Sequence, residues 1–334
     1  MNSLTLSKNI IQRFRAEYLT SVSPIIEHAS TVSLAQRWNL LFQCSIQPKS
    51  ELIDPEVQTM LMDLYQVAIL EDLSPKYIGE GERWGAIISP RIGTWTRKRV
   101  ACIDHWFVSS RSDLLPMLDR VKAEWHLPCD AIQLPISPNH RSVSFLAEGP
   151  QACLEECVYA ADWGATRPPL LSSKVFKEFS FFHDQDLNAW WLDFCRLLEP
   201  EFLGPEPENV KSQLRKGMER SLHSGGILNV YDHQGLAGHV SWYRGSDAEL
   251  LIPQCWQIHY IVVRPNLRGQ KVAQYLYALA ARRMKLEQVS LVCARVQAAN
   301  FHSRKALEAV SAENVLEYYT FQSDSWERSR NFLL

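Results

Sequence analysis

The chain has 334 residues, room for two domains of ordinary size, and its 46% hydrophobic and 22% charged content is that of a folded, soluble protein. A net charge of −2 excludes the strongly basic balance that nucleic acid or an anionic membrane selects. No apolar run reaches membrane-span length, the N-terminal stretch lacks a signal peptide's apolar core, and the eight cysteines are scattered without metal-ligand spacing. The expectation is a cytoplasmic protein with reduced thiols and no metal.

In chain order, residues 5–70 read as helical. Ile10, Ile11, Phe14 and Tyr18 share a helix face, a second helix is expected from Ser33 to about Phe42, and Asp54-Pro55 opens a third to Leu70. Ser74 to Glu82 is turn-rich. Strands are expected at Trp84 to Ser89, Val100 to Val108 and Ala131 to Ile136, with helices at Ser112 to Trp125, capped by Ser112, and at Asn139 to Glu148. Cys153 and Cys157 would share a helix face if their segment is helical. Arg167-Pro168-Pro169 followed by Leu170 to Ser173 is the best linker candidate, which divides the chain into 1–166 and 172–334.

The second part opens with a strand at Val175 to Phe182. His183 to Asp186 cap a helix to about Leu198, and Val210 to His223 is a second helix, ended by Gly225-Gly226. Ile227 to Tyr231 and Ala237 to Tyr243 flank a hairpin turn at Asp232 to Gly235. Then come strand Trp256 to Val263, a basic turn Arg264 to Gln270 and helix Lys271 to Met284. Strand Val289 to Val296, helix Asn300 to Val310 and strand Leu316 to Gln322 complete the series. A strand feeding through a Gly-bearing turn into a helix N-terminus builds an anion site, because unpaired N–H groups and the helix dipole both point outward there. The arginines at 264 and 268 strengthen that field.

The residues Val263-Arg264-Pro265 followed by Arg268-Gly269-Gln270-Lys271-Val272-Ala273 resemble motif A of the GCN5-related N-acetyltransferase (GNAT) family, with Lys271 at a position the family usually gives to Gly. The order β-α-α-β-β-β-α-β-α-β of the second part is also that family's. The resemblance implies an α+β fold with a mixed sheet and an acyl-CoA acyltransferase domain at 172–334. It implies that Arg268, Gly269, Gln270, Lys271, Val272 and Ala273 hold a CoA pyrophosphate. The pantetheine would run near Ile261, Val262 and Val263, and Asn300 and Ser303 would lie at its side. At Lys271 a phosphate clamp and a crowded cofactor both stay open. A βαβα order at 100–148 repeats that of 256–310, with an N-x-x-S at Asn139 and at Asn300. The first part thus reads as a degenerate second copy behind a helical segment, whose turn Ser109-Ser110-Arg111 lacks Gly.

Acyl transfer to an amine requires a base, oxyanion donors and a thiolate leaving group. The family's usual base position holds Gln257, an amide. His259 lies two residues on and, by strand alternation, on one face with Gln257, Ile261 and Val263, about 13 Å along the strand from Val263. As a base, His259 would give a rate rising through an ionisation of roughly 6 to 7.5; as a core histidine it would be structural. The family's Tyr acid position holds Leu307, and Tyr318 and Tyr319 lie on the following strand. The implied reaction is transfer from acetyl-CoA, or a longer acyl-CoA, to a primary amine of a small molecule or peptide. An acyl carrier protein stays open as donor, as does a non-catalytic module that binds CoA or a partner.

Overall fold

Eleven strands pair into one mixed sheet in the computed structural model, which describes residues 7–22, 24–28, 33–39, 76–92, 99–124, 130–139, 152–164, 176–181, 187–198, 208–247, 249–284 and 291–322. The helix expected at 54–70, that at 139–148 beyond its first residue, the linker at 167–173 and the cap at 183–186 lie outside these residues. Helix α1 (Lys8–Ser21) is capped by the Ser7 hydroxyl, which accepts the Ile10 N–H. Helix α2 (Pro24–His28) follows, and α3 covers 34–39, with the Ser33 hydroxyl accepting the Gln36 N–H.

The N-terminal strands are β1 (Lys76–Glu80), β2 (Trp84–Ile92), β3 (Arg99–Val108), β4 (Ala131–Ile136) and β5 (Ala152–Asp162), with α4 (Leu114–Glu124) between β3 and β4. The C-terminal series is β6 (Lys177–Phe181), α5 (Asn188–Leu198), α6 (Glu208–Ser224), β7 (Gly225–Asp232), β8 (Gly235–Asp247) and β9 (Ile252–Val263). It continues with α7 (Val272–Arg283), β10 (Leu291–Gln297), α8 (Phe301–Glu308) and β11 (Glu313–Gln322).

Four expectations are corrected. The turn-rich stretch at 74–82 contains β1, whose Ile78 is buried while Glu80 is exposed. The segment carrying Cys153 and Cys157 is strand β5, not helix. Cys157, Tyr159 and Ala161 pack toward one layer, and Val158 and Ala160 toward the other, so its apolar run reflects burial on both faces. Helix α6 ends at Ser224, directly before Gly225 as expected, but Gly225 is already the first residue of β7, where a Cβ would strike the backbone of Trp242 in β8; close strand approach, rather than a left-handed helix cap, requires it. The cap before α4 is Ser110, in a capping box with Asp113 three residues on.

The strand order is β1-β2-β3-β4-β11-β5-β10-β9-β8-β7-β6. Thus β5 lies between β10 and β11, antiparallel to both, and β11 lies between β4 and β5. Each half of the chain supplies a strand to the other half's sheet. Helices α4, α7 and α8 cover one face. Beneath them lie Ile103, Leu134, Val240, Trp242, Val263, Val292 and Ala294. Helices α1, α2, α5 and α6 cover the other. There Phe14 meets Phe107 edge-on at 5.0 Å, Ile26 joins Cys255 and Cys293, and Phe194 joins Val262. Arg37 of α3 donates to the Leu251 carbonyl at 2.6 Å, tying the N-terminal helices to the β8–β9 connection.

The two halves share one arrangement. Strands β2 and β3 pair antiparallel and β3 then runs parallel to β4; β8, β9 and β10 do the same. Both hairpins carry a one-residue bulge, at Asp104 between Ile103 and His105, and at His259 between Ile258 and Tyr260.

A fragment of residues 172–334 would leave β10 and β11 without β5 between them. Expressed alone it is expected to lack a cooperative melting transition by circular dichroism, and co-expression with residues 1–171 should restore one. A fragment that melts cooperatively by itself would contradict this.

Candidate active site

Strands β9 and β10 share only three register positions, Trp256 with Val292, Gln257 with Cys293 and Ile258 with Ala294. Beyond them β9 follows β8 to Val263, while β10 follows β5 to Gln297. The two strands part. A cleft of about 580 Å³ opens between Ile258–Val263 and Ala294–Gln297, bounded at its mouth by the turn before α7 and the start of α8. Among the described residues the β9 edge facing it pairs with no strand; the Val263 carbonyl at its end accepts from Arg268 Nε at 3.4 Å, and the backbone groups before it suit a ligand that lies along the edge.

The turn is built by a short 3-10 segment, Pro265–Leu267, followed by Gly269 at φ 74° and Lys271 at φ 61°. Lys271 caps α7 in a left-handed conformation. Glycine adopts that conformation without strain, whereas a side chain there costs ~1–2 kcal/mol. The amides of residues 271–274 begin the helix without intrahelical acceptors and, with the dipole, form an anion-binding end. Lys271 is exposed and its side chain belongs to the cleft wall together with Arg268, His302 and Lys305.

Arg264, expected to add to the anion field, instead pairs with Asp232 in the β7–β8 hairpin and bonds Asn266 at 3.0 Å. Burial acts first on the Asp232 carboxyl, but its bonds from Arg264 and the Gln234 amide outweigh this and hold its pKa below the usual range. The pair staples the turn to the hairpin.

Of the residues expected to touch the acyl donor, Ile261, Val262, Val263, Arg268, Gly269, Lys271, Val272, Ala273, Asn300 and Ser303 all line the cleft. Asn300 caps α8, its side-chain oxygen accepting the Ser303 N–H at 3.1 Å. Gln270 does not line it; its amide donates to the Asn266 carbonyl at 2.9 Å. Sequence reading missed Tyr260, Arg295, His302 and Lys305 on the cleft wall. The positions 302 and 305, three apart on α8, are the one signal that could have flagged a pair.

The bulge at His259 alters the expected strand parity. Gln257 pairs with Tyr243 and Tyr260 with Ser241, whereas Ile258 pairs with Trp242 and Ile261 with Val240. Gln257 and His259 therefore face α6, and Ile261 and Val263 face α7; the extra residue reverses the alternation. Gln257 is not brought into the cleft. It is buried, with its amide 3.3 Å from the Ser246 carbonyl, 3.4 Å from an Asp247 oxygen and 3.1 Å from Cys255 Sγ. His259 does border the cleft, with Nδ1 3.4 Å from Ser241 Oγ and its ring 6.2 Å from that of Tyr243. Burial, then the nearby Arg220 charge, lower its pKa to about 4. The imidazole is neutral at physiological pH, and the ionisation expected at roughly 6 to 7.5 moves down accordingly.

Arg295 of β10 reaches the far wall. It pairs with Glu156 at 3.1 Å, Asp247 at 2.9 Å and Glu249 at 2.6 Å. Burial would lower its pKa, but these carboxylates, Glu249 foremost, hold it well above the ordinary value. Both candidate tyrosines bond carboxylates. The Tyr318 hydroxyl bonds Glu249 and the Tyr319 hydroxyl bonds Glu317 at 3.0 Å.

The corresponding place in the N-terminal half is closed. Trp106 of β3 donates its indole N–H to the Pro135 carbonyl of β4 at 3.2 Å, bridging the strands where β9 and β10 part. The helix start is also filled. An Asp113 oxygen accepts from the Ser110 amide at 3.1 Å and hydroxyl at 2.7 Å, and the other from Arg83 at 2.8 Å. A carboxylate of the chain itself occupies the position of an external anion.

A parted parallel pair in front of a helix start forms a cleft with an anion-binding end. Residues 191–310 match the model of the acetyltransferase (GNAT) family, so the chain carries a domain of that family over those residues. The match supports an acyltransferase in general terms. Among solved structures, the chain is similar to an acetyltransferase of the GNAT family from Colwellia psychrerythraea, at 9% identity and TM-score 0.47 over 96% of this chain and 97% of that one. It is similar to a Drosophila protein at 12% identity and TM-score 0.46, over 87% and 97%. It is also similar to a tandem GNAT protein of the clavulanic acid biosynthesis pathway at 12% and TM-score 0.42, over 79% and 95%. No curated protein matches it.

Two buried histidines give the stability of the fold a definite pH dependence. His239, bonded to Asn229 at 2.7 Å, is lowered by burial, then by His259, to about 3, and His259 lies at about 4. Both pKa values are depressed, so the unfolded chain binds protons that the fold does not. Stability is full above the ordinary histidine pKa near 6.5 and falls as pH drops toward 4. Urea unfolding across pH 7 to 4 should show this slope, and His259→Gln should reduce it. An identical slope in the variant would count against burial of a neutral His259.

Proposed function

We propose that the chain transfers an acyl group, in the simplest case acetyl, from a CoA thioester to a primary amine of a small molecule or peptide. The observation that carries the reading is the parting of β9 and β10 beyond Ile258 and Ala294, directly in front of the α7 N-terminus. The walls fit such a donor. A free strand edge suits an amide-bearing pantetheine arm, and Arg268 and Lys271 beside unpaired helix amides suit a pyrophosphate. CoA as co-substrate would supply an activated acyl group on a thiolate leaving group.

The chain's residues have three tasks in this reading. The β9 edge orients the donor and offers N–H groups where negative charge develops on the acyl oxygen. The turn from Arg268 to Ala273 anchors the phosphates. His259, neutral and at the inner end of the cleft, accepts the proton of the attacking amine, directly or through one water. With its pKa near 4, the limb of the rate profile at neutral pH reports the amine's ionisation rather than the histidine's.

Incubation with acetyl-, octanoyl- and palmitoyl-CoA and a panel of amines, followed by free thiol release, tests the reading. Turnover with any pair supports it, and chain-length preference separates acetyl from longer donors. No thiol release with any pair would favour a non-catalytic CoA- or partner-binding module. Arg268→Glu should weaken CoA binding about fivefold or more by calorimetry, since charge-assisted contacts are replaced by repulsion. An unchanged dissociation constant would displace the phosphate site from this turn.

The closed N-terminal copy predicts a stoichiometry. CoA titration should give one equivalent per chain, because Trp106 bridges the strands and Asp113 fills the helix end. Two equivalents would contradict it.

A further inference from the structure

Helix α8 brings an imidazole, an ammonium group and a phenyl ring to the cleft mouth, none of which serves the acyl transfer described above. His302 and Lys305 stand three residues apart on one helix face, and both line the cleft on the α8 side of its mouth. Phe301 lies between the cleft-lining Asn300 and His302. It is 58% exposed, and among the described residues it is one of three large hydrophobic side chains that stand open to solvent. Its ring centre is 5.6 Å from Lys305 Nζ and 6.1 Å from the centre of the His302 ring. An aromatic face left in water is stabilised when a flat ring is laid on it.

The polar groups on the two sides of the mouth divide by use. The turn before α7 offers Arg268, Lys271 and the unpaired amides of the helix start, a match for a pyrophosphate. On α8, Arg304 is turned to the chain itself, donating to the Ala298 carbonyl at 3.2 Å and to the Tyr159 hydroxyl at 3.3 Å. Lys305 meets Glu308 at 2.6 Å, an exposed pair of the kind that contributes little. The other Glu308 oxygen accepts from the Tyr159 hydroxyl at 3.1 Å, so the carboxylate keeps a partner when Lys305 turns to a ligand. The His302 imidazole donates a hydrogen bond in either protonation state. This side of the mouth therefore suits one more anionic group beyond the pyrophosphate.

We propose that Phe301, His302 and Lys305 bind the adenosine 3′-phosphate of CoA, the base stacking on Phe301 and the phosphate meeting His302 and Lys305, and that this subsite selects free CoA over a phosphopantetheine arm carried on a protein. The inference rests on the reading of the cleft as an acyl-donor site. CoA bears its base and its third phosphate on one ribose, side by side, as the Phe301 ring and its two polar neighbours are. A carrier-bound arm ends in a single phosphodiester and has neither group. It would leave the ring in water and Lys305 unmatched. The exposed ring separates the two donors, since positive charge alone would suit an acidic carrier surface as well.

The test is calorimetry on the full chain with CoA, 3′-dephospho-CoA and 4′-phosphopantetheine. CoA should bind about tenfold more tightly than 3′-dephospho-CoA. His302→Gln combined with Lys305→Gln should remove that preference and leave the affinity for 3′-dephospho-CoA unchanged. Phe301→Ala should weaken both CoA forms about fivefold or more and leave 4′-phosphopantetheine unchanged. Equal binding of the two CoA forms by the parent, a preference that survives the double variant, or a Phe301→Ala variant that binds all three as the parent does overturns the proposal. Should the double variant fail to fold, Lys305→Gln alone is read in the same way. With an amine acceptor found active, acetyl-CoA should outpace the same acetyl group on a phosphopantetheinylated carrier protein, and equal turnover overturns the selection of free CoA. Binding of both CoA forms without preference leaves the cleft an acyl-donor site and removes this subsite alone. Binding of none of the three probes removes the acyl-donor reading itself, and the subsite with it.

Discussion

Everything at the candidate site depends on two parallel strands that share only three positions. Parallel pairing would ordinarily continue and bury both edges. Here β10 has β5 to follow and β9 has β8, so each strand keeps a full partner on one side while the two diverge on the other. The cost of unpaired backbone is avoided because the diverging edges border a cleft rather than packed core. The turn that closes its mouth is held from outside by the Arg264–Asp232 pair, leaving Arg268 and Lys271 as its cleft-lining cations. In the N-terminal half the same divergence is bridged by one indole hydrogen bond, and a carboxylate caps the helix that would otherwise attract an anion. The contrast between halves is thus a matter of a few side chains on a shared backbone plan.

Much of this was legible locally. The strand, basic turn and helix from 256 to 284 carry their signals within a few residues: β-branched composition, Pro265 and Gly269, then an uninterrupted helix former run. The Asp232 to Gly235 turn and the Asn300 cap were equally local. The bulge was not. Whether residue 259 is counted in the alternation is decided by β8, seventeen or more residues away, and period-2 reasoning has no access to that partner. Ile261 and Gln257 consequently fell on opposite faces although simple parity puts them together.

The place of β5 was illegible for a different reason. Its residues, Ala152 to Asp162, show no alternation because both faces and both edges are occupied, and its neighbours β10 and β11 lie more than a hundred residues downstream. Ser110 and Ser112 offer the same side chain two residues apart, and only the three-residue spacing to Asp113 singles out Ser110 as the cap. Trp106 reads from sequence as one more core aromatic, and its bridging role exists only once β4 is beside it.

The exchange of strands also has a bearing on how the chain is made. Strand β11 is the last of the eleven in chain order yet lies near the middle of the sheet, between β4 and β5. As the chain leaves the ribosome, β4 and β5 must wait with open edges for β11, synthesised some 150 to 190 residues later. Such edges are templates for pairing with other chains. The exposed acidic and basic positions of the early strands, Glu80 in β1 and Arg99 in β3, are of the kind that discourage edge association. Folding that depends on so distant a contact is slow relative to local helix formation. Yield of the intact protein should therefore be governed less by the stability of the finished sheet than by how long its central seam stays unfilled.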